Sequence, residues 1–368
     1  YRRQRQMCIR DSSMRLWCVQ EGSMKERESN VLSLLEDKTN IYARKIALGI
    51  KTQFGWKELT YDGLGLMSRR LAAYLMNDLG IQRGEKLAIL SESKPEYGAC
   101  VFASVISGLI TVPLDIKLTK YELQSILSDC LPSVMLVSQS YIDKALELQK
   151  AIPSLKHIIV MDEHPVNENL QSIYTIPNNY TCKWRHRSRK SVVFIIYTSG
   201  TTGNPKGVET TFGNMLAQLK DLKTAFNQIL PYGDVRVLSI LPMNHLFEMT
   251  VGFSTFLNLG FSVYYTHNLK PKDILNTMRD RKITFMVVVP AFLKLLKTGL
   301  EAEMKNTSKF SQKMFPILYH FAKFVPFIWA KKLMFRKIHK CFGGSFKGCM
   351  SGGAPPVSYT HLTLPTIR

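Results

Sequence analysis

The chain has 368 residues and a mass of 42.0 kDa, with 45% apolar and 21% charged residues. That is length for about two to three domains with sizeable cores, which excludes a disordered or low-complexity scaffold, and no apolar run reaches the roughly 18 residues of a membrane-spanning helix. Lys and Arg number 49 against 28 Asp and Glu, a net charge of +21; such a surplus favours anionic partners, and its largest block, 294–347, is rich in Phe, Met, Leu and Ile, unlike a nucleic-acid arm.

The two ends stand apart from the rest. Tyr1–Ser12 and Val357–Arg368 have no helical or strand period and resemble translated sequencing-adapter sequence. Residues 1–23 therefore read as a non-native leader and 357–368 as a non-native tail, with Met24 as the natural start. Cysteines at 8, 18, 100, 130, 182, 341 and 349 form no CxxC pair and no framework spacing, so neither a zinc site nor a disulfide scaffold is expected. With no signal-peptide pattern, the reduced cytosol is the expected compartment.

From Trp56 onward, short β-like runs alternate with helical ones. Thr60 is placed to cap a helix over Tyr61–Leu79, with Leu64, Met67, Leu71, Tyr74 and Leu75 on one face and Gly80 as its stop. Lys86–Leu90 reads as a strand, Pro95–Leu109 as a helix, Thr111–Leu114 as extended, Leu118–Cys130 as a helix, Val134–Val137 as a strand, Ile142–Ile152 as a helix and His157–Met161 as a strand. Residues 162–190 are polar and end in a Lys/Arg cluster, 183–190, that reads as a solvated connection. A second series follows: the apolar strand Ser191–Tyr197, a glycine loop, a helix Asn214–Leu230, strands Val235–Leu241 and Phe261–Thr266, a helix Pro271–Arg281, a strand Ile283–Val289 and a helix Ala291–Leu300. Strand–helix alternation at this spacing means right-handed crossovers. The expected fold is α/β, with two doubly wound, mostly parallel sheet subdomains over 24–190 and 191–356.

The most specific feature is the run from Tyr197 to Gly207, YTSGTTGNPKG. Gly200, Gly203 and Gly207 permit positive φ and close backbone approach. Thr198, Ser199, Thr201 and Thr202 add hydroxyls, and Lys206 adds a cation. Placed between a buried strand and a helix start, such a loop is an anion nest, with phosphate as its natural guest. The spacing is neither that of a Walker A loop nor G-x-G-x-x-G.

This string resembles the signature phosphate loop of the adenylate-forming superfamily, which includes acyl-CoA synthetases, luciferases and peptide-synthetase adenylation domains. Leu241–Glu248 (LPMNHLFE) is similar to the LPxxHxFE segment of its fatty-acyl ligases, and Val289–Phe292 to a VPxxx strand end. Gly343-Gly344 followed by Ser351–Pro355 (SGGAP) resembles the adenine-binding turn, which assigns Gly352, Gly353, Ala354 and Pro355 to adenine. The likeness spans about 28–356, and HLFE with SGGAP points to a long-chain fatty-acid–CoA ligase. It implies ATP, Mg2+ and coenzyme A as partners of a long-chain fatty acid. Lys206 would act at the departing phosphates, Thr198 at the magnesium and His245 at the acyl-carboxylate end. From the residues alone, His245 beside an apolar run reads first as a core histidine, and Glu248 as a structural partner. Acyl transfer to a carrier-protein thiol, or a non-catalytic nucleotide- or lipid-binding module, stays open.

The chain departs from the family where Thr211-Phe212 replaces Thr-His and Arg189-Lys190 replaces the acidic residue before the loop strand. The family's Tyr-Gly-x-Thr-Glu motif, its ribose-binding Asp and its mobile C-terminal domain with a catalytic Lys do not occur in this sequence. The aromatic and basic run 314–342 reads either as a core helix pair or as an interfacial element meeting anionic lipid at the inner membrane face. The 368-residue chain is expected to release pyrophosphate from ATP and palmitate only at background; robust turnover would contradict the reading of it as an incomplete enzyme.

Overall fold

The computed structural model describes residues 38–180, 182, 187–198, 205–230, 234–266, 269–293 and 336–352. Both terminal segments read as non-native, most of 314–342 and most of the predicted helix 291–300 lie outside these residues.

The order is β1 (Ile46–Thr52), β2 (Gly55–Thr60), α1 (Tyr61–Asn77), β3 (Lys86–Leu90), α2 (Pro95–Ser107), β4 (Ile110–Leu114), α3 (Lys120–Cys130), β5 (Val134–Val137), α4 (Ile142–Ala151), β6 (His157–Val160) and β7 (Gln171–Ser172). Then come β8 (Val192–Thr198), β9 (Lys206–Thr211), α5 (Phe212–Ile229), β10 (Arg236–Ser239), a π-helical segment Glu248–Thr255, β11 (Ser262–Tyr265), α6 (Pro271–Asp280), β12 (Phe285–Val288), α7 (Arg336–Cys341) and β13 (Gly348–Ser351).

Local chemistry sets several of these boundaries. The Thr60 hydroxyl accepts from Gly63 N and starts α1. Pro95 opens α2, and Gly108, left-handed at φ 82°, closes it. Thr119 and Glu122 form a reciprocal capping box at α3.

The strands form two sheets, both parallel except for one edge hairpin strand each. The first runs β7-β6-β5-β3-β4-β8-β9, with β9 antiparallel, and the second β13-β12-β10-β11-β1-β2, with β2 antiparallel. This is the expected mixed α/β architecture. The sheets do not, however, correspond to 24–190 and 191–356. The hairpin β1–β2 from the first half completes the second sheet, and β8–β9 from the second half completes the first.

Alternate residues of each central strand feed different cores, as the two-residue period of a strand requires. In β3, Leu87 and Ile89 enter a core shared by both sheets, whereas Ala88 and Leu90 meet α3 and α4 on the outer face. In β12, Phe285 and Val287 enter the shared core, whereas Met286 and Val288 pack on α6 and Phe342. Strands buried on both faces are near-continuous apolar runs, which is why they were legible as such.

Every residue of α2 is buried. A Cβ on its Gly98 would stand 2.6 Å from Leu48 Cδ1 of β1 and 2.8 Å from Phe253 of the π-helical segment. Gly98→Val should therefore cost about 1–3 kcal/mol by overpacking, more than the helix-propensity gain of a few tenths. A urea midpoint at or above the parent value would show that these layers can part to admit the side chain.

Candidate functional site

In an open parallel sheet, ligands bind outside the carboxyl ends of the strands, where the strand order reverses. In the second sheet the chain leaves β10 for β11 on one side and returns to β12 on the other, so the reversal lies between β10 and β12. In the first sheet it lies between β3 and β5. The two switch points are tied together: Met243 N, beyond β10, donates to Ser93 Oγ, beyond β3, at 3.1 Å.

The segment Leu241–Glu248 occupies this junction. His245 N donates to Pro242 O at 3.1 Å, and Met249 N to His245 O at 3.0 Å, so His245 sits where the turn becomes helix. Its side chain is exposed, which removes the core-histidine alternative. Phe247 points to the next strand end: a Cβ on Gly352 would be 2.5 Å from its ring. Gly352 N donates to Val288 O at 3.1 Å, continuing the β12–β13 ladder to its carboxyl end. The LPMNHLFE run and the first residue of the GGAP run thus meet through Phe247. Gly353, Ala354 and Pro355 lie outside the described residues. Gly343-Gly344 is at the other end of β13 and takes no part in this turn.

Glu248 is the residue that sequence reasoning undervalued. It has no exposed surface; its Oε1 accepts from Ser239 Oγ at 2.6 Å, and Oε2 has no partner. Burial pushes its carboxyl up to about 8, against the opposing pull of the Ser239 hydroxyl. Gly252 makes room for it, since a Cβ there would lie within 2.1 Å of Oε1. The carboxyl thereby pins the π-helical segment to the end of β10 and fixes the turn that presents His245. The available signal was a Glu followed four residues later by Gly inside an apolar run.

The glycine loop is not a strand-to-helix turn. Lys206–Thr211 is a strand antiparallel to β8, with Thr198 and Lys206 in direct register, both exposed. The strands β8 and β9 pair as a hairpin from Thr198 and Lys206 back to Val192 and Thr211, and α5 starts only at Phe212, capped by Thr211 and Asn214. The helix-start contribution to an anion nest is therefore displaced from it. Gly207 needs no positive φ; it is glycine because Ile195 and Tyr197 cross over it, at 2.9 and 3.1 Å from a built Cβ. Ser199, Gly200, Thr201, Thr202 and Gly203 lie outside the described residues. Tyr197 donates its hydroxyl to Asp129, anchoring the hairpin to α3.

Thr198 offers one hydroxyl, and among the described residues no three His, Cys, Asp or Glu side chains gather to hold a metal. The described residues alone do not build a magnesium site. Among them, too, no helix is long and apolar enough to cross a membrane. The 183–190 cluster is not wholly solvated: Arg187 is buried and donates to Leu109 O at 2.8 Å. Burial and nearby Arg83 lower its guanidinium to about 10.

A family model described as AMP-binding enzyme matches residues 35–363. A human long-chain-fatty-acid–CoA ligase is 25% identical over 325 residues, covering 83% of this chain and 42% of the ligase. The luciferin 4-monooxygenase of Photinus pyralis is 29% identical over 245 residues, 63% of this chain and 44% of that protein. The chain thus spans about half the length of the curated relatives it matches. Among solved structures, the adenylation domain of a carboxylate reductase from Mycobacterium chelonae superimposes with a TM-score of 0.71 at 19% identity, over 90% of this chain and 55% of that one. The inhibitor-bound N-terminal domain of FACL13 from Mycobacterium tuberculosis gives 0.67 at 18%, over 89% and 71%. At these identities the structures establish the shared fold.

The Glu248 proton is held more tightly in the folded chain than in the unfolded one. Stability should therefore fall as pH rises from the ordinary carboxylate range towards about 8, by at most about 1.4 kcal/mol per pH unit, and level off above it. In Glu248→Gln that slope should vanish. Unfolding free energies of parent and variant that run parallel between about pH 5 and 8 would place the titration elsewhere.

Proposed function

We propose a function from one premise: the chain belongs to the AMP-binding enzyme family. The reading is that it carries the adenylating part of a long-chain fatty-acid–CoA ligase. The observation that supports it most is the convergence of LPMNHLFE, Gly352 and the Ser93 loop where the switch points of two parallel sheets meet. A nucleotide and a carboxylate need such a place, with backbone donors and a shaped wall.

In this reading a carboxylate oxygen attacks the α-phosphorus of ATP, forming a P–O bond as the bond to the β-phosphate oxygen breaks and pyrophosphate leaves. The thiol of coenzyme A then attacks the acyl carbon and expels AMP. Both reactants of the first step are anions, so neutralisation and in-line positioning outweigh acid–base chemistry. Lys206, at the start of β9 opposite Thr198, would face the departing phosphates. His245, exposed and held by the Glu248-pinned turn, would wall the acyl-carboxylate end. Gly352 and the residues after it would lie against adenine, and Thr198 would contribute its hydroxyl near the phosphates and their magnesium. The names of the relatives, long-chain-fatty-acid–CoA ligases among them, favour a fatty-acid substrate.

Lys206→Ala, in the longest natural form of the protein, should lower kcat/KM for ATP in palmitate-dependent pyrophosphate exchange. A charge acting on the leaving phosphates is worth about 2–4 kcal/mol, roughly 30-fold or more. The KM for fatty acid should change little. A fall of less than about threefold would remove Lys206 from this role.

A further inference from the structure

Three polar groups of the shared core have no hydrogen-bond partner among the described residues: Glu248 Oε2, the Tyr265 hydroxyl and the Tyr97 hydroxyl. All three side chains belong to residues with no exposed surface. Sheet register brings the first two together. Ser239, the last residue of β10, is the register partner of Tyr265, the last residue of β11. Partners on neighbouring strands, about 4.8 Å apart, present their side chains to the same face. That face is the shared core, where Val237 and Val263, two residues back on the same strands, are also buried. Ser239 Oγ donates to Glu248 Oε1 at 2.6 Å, so the carboxyl is held over the end of β10, one strand from Tyr265.

Tyr97 reaches the same region from the first turn of α2. Its neighbour Gly98 lies under Phe253 of the π-helical segment that carries Glu248. Burial, with Glu248 and Tyr97 acting on it, holds the Tyr265 hydroxyl well above the usual phenol range. Neither hydroxyl bonds directly to the other or to Glu248, since each would then have a partner. No Lys or Arg pairs with Glu248 among the described residues. The other buried acid nearby in α2, Glu96, is already met by Lys57 at 2.6 Å and by the Tyr174 hydroxyl at 2.5 Å. With its carboxyl pushed up to about 8 by burial, Glu248 keeps its proton near neutral pH. Oε1 accepts from Ser239, which leaves the proton to Oε2 as a donor facing no acceptor. Each tyrosine hydroxyl can both donate and accept.

We propose that Glu248, Tyr265 and Tyr97 form an internal binding site for ordered water. Buried polar groups are almost always partnered, and leaving these three dry would cost each its full desolvation penalty. Water can accept from the Glu248 Oε2 hydroxyl while donating to one tyrosine and accepting from the other, and buried water typically makes about three such bonds. An anion would find no cation here, and a metal ion would need the carboxylate form that burial disfavours. The three groups come from the π-helical segment, from β11 of the second sheet and from α2, which follows β3 of the first. Water held among them ties the two layers together three residues from His245. The inference does not depend on the chemistry proposed for the turn that carries that histidine.

Tyr97→Phe and Tyr265→Phe each remove one hydroxyl and keep the ring that fills the core. A dry buried hydroxyl destabilises the fold, so its removal should leave the folding equilibrium constant unchanged or raise it. Removal of a water-bonded one should lower that constant about threefold to tenfold, read from urea unfolding of the full chain at about pH 6, where Glu248 is protonated. The double variant should lose about threefold less than the product of the two single losses, because the second hydroxyl leaves a water that has already lost a partner. Magnetic relaxation dispersion of water oxygen reads long-lived internal water directly, and its amplitude should be lower in the double variant than in the parent. Parent-like or higher stability in either single variant, strictly multiplicative losses, or an unchanged dispersion amplitude would overturn the proposal. A direct bond between Glu248 and Tyr265 in place of water would leave Tyr97→Phe at parent stability, and so falls among the overturning results.

Discussion

Helix α2 offers water no face, and covering it decides where both sheets can lie. Its thirteen residues are all buried. A helix apolar all round is stable only when wrapped on every side. Strands β3 and β4 of the first sheet cover one flank through Leu87, Ile89 and their neighbours, α1 covers another, and β1 with the π-helical segment closes the last. Its buried polar groups are met unevenly: Ser107 bonds back to Ala103 O and Thr111 donates to Ser104 Oγ, Glu96 is reached by Tyr174 and Lys57, and the Tyr97 hydroxyl has no hydrogen-bond partner among the described residues. Gly98 is where this wrapping is tightest, because Leu48 and Phe253 both reach the helix backbone there.

That requirement explains the crossing of the chain between sheets. The flank of α2 that faces away from its own sheet must be covered by the second one, and β1 arrives there before the first sheet has begun. Tyr61, directly after the β1–β2 hairpin, fastens the exchange by donating to Phe261 O at 2.7 Å from within the core. The reciprocal hairpin β8–β9 brings the loop with Thr198 and Lys206 back to the first sheet. The carboxyl ends of both sheets thus come to share one neighbourhood, and the Met243–Ser93 hydrogen bond marks their contact. A site assembled this way depends on sheet packing more than on any single loop, which is why a buried carboxyl such as Glu248 matters to a residue it does not touch, His245.

Much of this was legible in the sequence, for identifiable reasons. Lys86–Leu90 and Val134–Val137 were bounded correctly because a doubly buried strand must be apolar throughout. The start of α1 was legible because Thr60 has the chemistry of a cap. The strand β9 was not, since Asn204, Pro205, Lys206 and Gly207 carry the composition of a loop; what makes Lys206–Thr211 a strand is the register it finds on β8. Gly49 and Gly207 look like breakers, yet each is a place where an aromatic ring of the neighbouring strand, Tyr264 or Tyr197, lies over the backbone. The burial of Arg187 was hidden within a basic run that reads as solvated, because local charge says nothing of which residue reaches the Leu109 carbonyl. At the site, the motif residues were evident but their support was not: Ser239, Gly252 and Ser93 are far from the motif or chemically bland.

Parallel strands also sort charge between the two ends of a sheet. Crossover helices begin near the carboxyl ends and finish near the amino ends, so their positive poles face one side and their negative poles the other. At the carboxyl ends, backbone donors and helix starts are disposed to meet anions, so fewer side-chain cations are needed there. At the amino ends the helix poles repel anions, and a site for them must be built from side chains. In the second sheet, Arg279 in the last turn of α6 and Lys340 in the last turn of α7 answer those negative poles instead. The same sheet polarity that turns helix starts toward the candidate site therefore favours cations at the opposite end of the sheet.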